Sequence, residues 1–188
     1  MPITNRRLVD FENKDFYPTP AWATQALLDN EEFKGSIWEP ACGNGAIAEV
    51  IMERLQRFIL ATDLYDRNYG RAGVDFLTAD KFFANIITNP PFALAEEFVQ
   101  AGLRQATHKL ALLLRLSFLE GAQRQRTLFT KTPLARVWVF SERITFYPDK
   151  AERQGSGTIA YAWFVWDKHK RETATELKWL PLGYKQKG

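Results

Sequence analysis

Asn89-Pro90-Pro91-Phe92 puts the tightest constraint on this chain. It follows residues 82–88 (FFANIIT), a run that reads as a buried strand. Two consecutive prolines have no N–H to donate, so the strand ladder ends there. The chain must leave the sheet as a stiff, extended loop. A carboxamide then stands at the strand's C-terminal end, with an aromatic ring just past the prolines. In an open α/β sheet that edge is where ligands bind. A carboxamide, a fixed backbone carbonyl and a ring face side by side form a receptor for a flat molecule with an exocyclic amine. Pro-Pro also serves simply to stop a strand, so the rest of the chain decides between the two.

The surrounding pattern alternates. Thr19 before Pro20 predicts an N-cap and a helix over 20–32. Strands are expected at 36–39, 58–62, 82–88, 109–116, 135–140 and 158–166, with a short extended piece at 74–77. Helices are expected at 46–55, 93–107 and 119–131, the last of them basic. Such alternation implies an α/β fold: a mostly parallel, twisted sheet with helices on both faces. The late strands lack a crossover helix between them, so an antiparallel strand at the edge is expected. At 188 residues the chain reads as one domain (1–188), with an arm at 1–16, a polar loop at 141–157 and a tail at 168–188.

The turn from Glu39 through Pro40, Ala41, Cys42, Gly43 and Asn44 to Gly45 joins the first strand to a helix. Gly43 and Gly45 let backbone approach a ligand. The helix start behind them offers free N–H groups to an anionic end. Glu39 can accept from an ammonium or hydroxyl. Asp63, at the end of the second strand, suits the two hydroxyls of a ribose. Asp75 and Phe76 can bind an adenine amine and cover its ring. Gly-x-Gly alone also serves close packing. Taken together, the set fits a nucleoside joined to an amino acid, S-adenosylmethionine.

Charge is unevenly spread. Residues 1–100 hold nine Lys/Arg against fifteen Asp/Glu, whereas residues 101–136 hold seven against one. A basic second half suggests a polyanionic partner. The single cysteine, Cys42, excludes an internal disulfide and reads as a small buried filler. His108 and His169 have no metal-ligand spacing and read as surface or edge residues. Trp163 and Trp166 read as sheet packing. No apolar run reaches the roughly 20 residues of a membrane span, and residues 1–17 lack an apolar signal region. A soluble, cytoplasmic protein is expected.

These residues resemble the amino-group DNA methyltransferases, and within them the adenine-N6 enzymes. Asn89-Pro90-Pro91-Phe92 is similar to their catalytic tetrapeptide, and the Glu39–Gly45 turn to their cofactor loop. Tyr17-Pro18-Thr19-Pro20 resembles the segment that contacts the cofactor's carboxylate. The order resembles the gamma arrangement of small phage and prophage methylases, over residues 15–166. The resemblance implies a Rossmann-like class I methyltransferase fold, S-adenosylmethionine as cofactor and no metal. It implies adenine N6 in DNA as the target, carried on a flipped base. RNA adenine, a protein glutamine, or a binding protein with a dead cofactor site are the alternatives.

Within that resemblance Asn89 and the Pro90 carbonyl would accept the two N6–H bonds and Phe92 would stack on the ring. Phe146 or Tyr147 would meet its other face, Phe146 being the better placed. Arg124, Arg126, Lys131, Arg143, Lys150 and Arg153 are candidate phosphate contacts. No large target-reading domain is evident. That leaves sequence reading to residues 141–157, a second copy or a specificity partner.

Overall fold

The computed structural model describes residues 16–146, 159–170 and 174–186. Tyr147, Lys150 and Arg153, and most of the N-terminal arm, lie outside the described residues. Seven strands form one sheet: β1 (Ile37–Glu39), β2 (Leu60–Ala61), β3 (Phe83–Thr88), β4 (Ala106–Arg115), β5 (Leu134–Phe140), β6 (Tyr161–Asp167) and β7 (Glu176–Leu180). Their order across the sheet is β2-β1-β3-β4-β6-β5-β7. Only the pairings of β6, with β4 and with β5, are antiparallel.

Period-two alternation gives each central strand two apolar faces. Leu110, Leu112, Leu114, Ile86, Phe164 and Trp166 point to one face, where Phe98 and Val99 of α3 (Ala95–Gln105) cover them. Ala111, Leu113, Ile87, Trp163 and Val165 point to the other, beneath α1 (Ala21–Asn30) and α2 (Ala46–Leu55). Trp163 and Trp166 are fully buried, as expected of packing residues.

The antiparallel strand, β6, is present but lies inside the sheet, with β5 and β7 between it and the edge. Residues 176–180, expected only as part of the tail, add β7 parallel to β5 and take the edge. Residues 74–77 form no strand: the chain turns at 76–78, where the Asp75 side chain accepts the Leu77 N–H at 2.9 Å. The helix expected over 119–131 is broken. A short 3-10 turn (Leu116–Leu119) and one α-turn (Ala122–Arg124) lead into a π-turn (Gln125–Phe129). The two histidines meet at the sheet margin, their ring centroids 4.8 Å apart. Among the described residues no group of three or more His, Cys, Asp or Glu could hold a metal, and no helix is long and apolar enough to cross a membrane.

Candidate active site

β1 hands the chain to β2 on one side, while β3 lies on its other side, so the order reverses at β1. Ligands of open α/β sheets bind at that switch point, beyond the strands' C-terminal ends. A cleft of about 1070 Å³, counted to its open mouth, lies there. Tyr17, Thr19, Glu39, Pro40, Ala41, Cys42, Gly43, Asp63, Asp75, Phe76, Asn89 and Pro91 all line it. Gly45, Pro90 and Phe92 do not.

The glycine turn is held from both sides. Cys42 N–H donates to the Thr62 carbonyl at 2.9 Å, and Gly45 N–H to the Cys42 carbonyl at 2.8 Å. Gly43 and Gly45 have φ of +54° and +88°, values that disfavour any side chain. A Cβ on Gly43 would lie 2.5 Å from the Phe16 ring, and one on Gly45 the same distance from the Tyr69 ring. Asp63 fastens the turn: one carboxylate oxygen accepts Gly43 N–H at 2.8 Å and the other accepts Tyr65 N–H at 2.9 Å.

Glu39 is 1 % exposed. Burial pushes its carboxyl well above the ordinary range; the Ala48 N–H at the start of α2 opposes this, and the Asp63 charge adds to it. Its Oε2 is buried without a partner. Burial, with Glu39 and Asp63 nearby, also pushes the Cys42 thiol up to about 12. Cys42 therefore stays a thiol at neutral pH and serves as filler.

Asn89 sits just past β3. Its amide nitrogen donates to the Tyr17 carbonyl at 3.2 Å and to Thr19 Oγ1 at 3.1 Å. A carbonyl can only accept, so the amide must face this way. The side-chain oxygen is thereby turned away, and it is buried with no partner. Thr19 serves Asn89 rather than capping α1, whose first turn has no side-chain cap. No donor among the described residues reaches the Pro90 carbonyl. Pro91 accepts Leu94 N–H at 2.9 Å, closing the turn behind the loop.

Phe92 enters an aromatic cluster. Its ring centroid lies 6.3 Å from Tyr17, 6.3 Å from Phe146 and 5.5 Å from Tyr161. Phe146 thus comes beside the tetrapeptide. Its loop is tied to the tail: Ser141 donates to the Leu180 carbonyl at 2.7 Å, and Glu142 accepts Gly183 N–H at 2.9 Å. Arg126 and Arg143 are exposed. Arg124 is committed within the protein, donating to the Phe118 and Glu120 carbonyls and pairing with Glu96 at 3.1 Å. Its expected role toward a phosphate gives way to bracing the turns after β4. Phe76 is 2 % exposed and wedged between Trp38 and Phe98, with centroids 5.2 and 5.0 Å away. It meets the cleft as part of the core wall.

Sequence reading missed Tyr161, Leu64, Tyr65, Val74 and Leu77. The last four line the cleft and flank Asp63 or the Asp75–Phe76 pair, so their neighbours were the available signal.

No protein-family model matches the chain, and no curated protein matches it in sequence. Solved structures do. A modification subunit of a putative type I restriction enzyme from Vibrio vulnificus superposes with a TM-score of 0.62 at 16% identity, over 95% of this chain and 50% of that one. A putative RNA methyltransferase from Pyrococcus horikoshii gives 0.57 at 13% identity, over 84% and 91%. Magnesium protoporphyrin IX methyltransferase from Synechocystis, solved with bound S-adenosylmethionine, gives 0.51 at 11% identity, over 77% and 75%. The chain therefore has the Rossmann-like fold of class I S-adenosylmethionine-dependent methyltransferases. It spans half the length of the Vibrio vulnificus subunit.

Proposed function

We propose that this protein is an S-adenosylmethionine-dependent methyltransferase acting on the N6 amine of adenine in DNA. The observation that carries the reading is the buried, partnerless oxygen of Asn89, whose amide nitrogen is already bound. An acceptor buried without a donor costs about 1–3 kcal/mol. A ligand's N–H removes that cost. An adenine N6 amine supplies two, one for Asn89 and one for the Pro90 carbonyl. Accepting both shifts the amine's lone pair out of conjugation and makes it nucleophilic.

The cofactor cleft fits the donor by the same test. Glu39 presents a second partnerless oxygen to an ammonium or hydroxyl, and the glycine turn has room for nothing larger than hydrogen. Asp63 holds that turn and keeps lone pairs for ribose hydroxyls. When bound, the donor supplies an electrophilic methyl carbon on a sulfonium. Phe92 and Phe146 would grip the target ring, and no covalent enzyme intermediate is needed. The exposed cations Arg126, Lys131 and Arg143 remain candidate phosphate contacts.

The deciding experiment offers labelled donor with unmethylated duplex DNA, single-stranded DNA, RNA and a glutamine-containing peptide, followed by nucleoside and peptide analysis. N6-methyladenine from DNA is expected. Label confined to RNA or to the peptide would reject the DNA assignment, and no donor binding by calorimetry would reject the enzyme.

Glu39→Gln separates stability from binding. A carboxyl raised in the folded state keeps its proton after the unfolded chain has lost its own near 4.5. Stability therefore falls as pH rises from there until the folded carboxyl ionises. Gln imitates the protonated acid and removes this slope. Scanning calorimetry should show a higher Tm for the variant at pH 7–8, by a few degrees or about 1 kcal/mol, and no difference near pH 4. Affinity for S-adenosylmethionine should fall roughly tenfold. An unchanged pH profile would mean that Glu39 is ionised in the free protein.

A further inference from the structure

A second hollow, of about 740 Å³ to its open mouth, lies beside the catalytic loop, lined by Phe92, Arg115, Ser117, Phe118 and Arg124 among others. Its two arginines differ. Arg124 is spent on backbone carbonyls and on Glu96. Arg115, the last residue of β4, is exposed and has no acidic partner among the described residues. Its guanidinium carbon stands 4.9 Å from the Phe92 ring centroid. Ser117, also exposed, follows two residues later. With Glu96 offsetting Arg124, the hollow keeps one uncompensated positive charge, held against a ring of the tetrapeptide itself.

We propose that Arg115 binds a backbone phosphate of the nucleic-acid strand that carries the target amine. This rests on the proposed function and extends it to a subsite. A guanidinium fork matches phosphate with two parallel hydrogen bonds. Resting on an aromatic face restricts an otherwise mobile side chain before the ligand arrives. The Ser117 hydroxyl offers a further donor. Phe92 then has two neighbours with distinct tasks: Arg115 registers the strand, and the aromatic cluster receives the base.

The test is titration of fluorescent oligonucleotides, DNA and RNA, over a series of salt concentrations, with wild type, Arg115→Gln and Arg115→Lys. Arg115→Gln should bind roughly tenfold more weakly, and the slope of log K against log salt should shrink by about one. Arg115→Lys should restore the slope but only part of the affinity, because it cannot bind bidentately. In methyl transfer the oligonucleotide KM should rise more than kcat falls, with calorimetric S-adenosylmethionine affinity kept. Wild-type affinity and slope in Arg115→Gln, in an enzyme that still methylates DNA, would overturn the subsite and leave the proposed function standing. A lower kcat with unchanged DNA affinity would also overturn it, since Arg115 would then act only by supporting Phe92. A wild-type protein that binds no nucleic acid and transfers no methyl to it would overturn both.

Discussion

Asn89→Ala should abolish methyl transfer, lowering kcat by on the order of 10³-fold, while S-adenosylmethionine still binds and the Tm hardly moves. Removing one preorganised hydrogen-bonding group from a reacting centre typically costs 10²- to 10³-fold. Here the same side chain also orients Tyr17 and Thr19, so the loss should reach the upper end. Folding should survive because the residue is only half-buried and its oxygen is satisfied by nothing in the free protein. Asn89→Asp sharpens the test. Its carboxylate can still accept an N–H but cannot donate to the Tyr17 carbonyl, so activity should return only in part. Single-turnover transfer to DNA, alongside calorimetric donor binding, reads both variants. If Asn89→Ala keeps more than a tenth of wild-type kcat, the carboxamide is not the acceptor that activates the amine.

The elements legible in the sequence were those whose side chains follow a simple period. KLALLLRL and FFANIIT announced β4 and β3 because both faces of a central strand are apolar. ELKWL did not announce β7, since an edge strand leaves Leu177 and Trp179 exposed, 47% and 65%, and its alternation is blurred by Lys178 lying over Trp138. The helix expected over 119–131 failed through local hydrogen bonding: Thr130 N–H reaches five residues back to Gln125, widening the turn. In the site, Glu39, Asp63 and Asn89 were legible as polar residues that end apolar runs. Tyr161 was not. It reads as one more strand residue, and only the reversed direction of β6 brings its first residue to the edge where the parallel strands end. Thr19 was read as a local cap, and its partner is Asn89, 70 residues away. Such pairings exist only once the sheet has formed.

Glu31→Ala carries the largest stability effect expected, about 3 kcal/mol, because it takes the shared carboxylate from two half-buried cations and from the Trp138 indole. Glu31 directly follows α1 and is 6% exposed. Its carboxylate accepts from Arg136, from Lys109 at 2.9 Å and from the Trp138 indole at 3.0 Å. One carboxylate thus ties α1 to β4 and β5 at the sheet edge opposite the cleft. Asp167, 3.3 Å from Arg136 and 3.8 Å from Lys109, cannot replace it, since it never reaches Trp138. Burial works to raise the Glu31 carboxyl, but the bonds from Arg136, Lys109 and Trp138 win and hold it below its ordinary value. Its contribution is therefore present above the unfolded value near 4.5 and is lost as pH falls through the folded one. Urea unfolding at pH 7 should show the full loss in Glu31→Ala, and the gap from wild type should narrow as pH drops below 4.5. Replacing Glu31, Arg136, Lys109 and Asp167 together by apolar residues should cost less than removing Glu31 alone, since the ion-pair cluster is then removed with both of its signs. The consequence reaches the site through α1. The segment that leads into its far end holds Tyr17 and Thr19, which turn the Asn89 amide. Glu31→Ala should therefore also lower kcat well below its Tm, while leaving the salt dependence of DNA binding unchanged. A variant as stable as wild type would show that Asp167 alone suffices to balance Arg136 and Lys109.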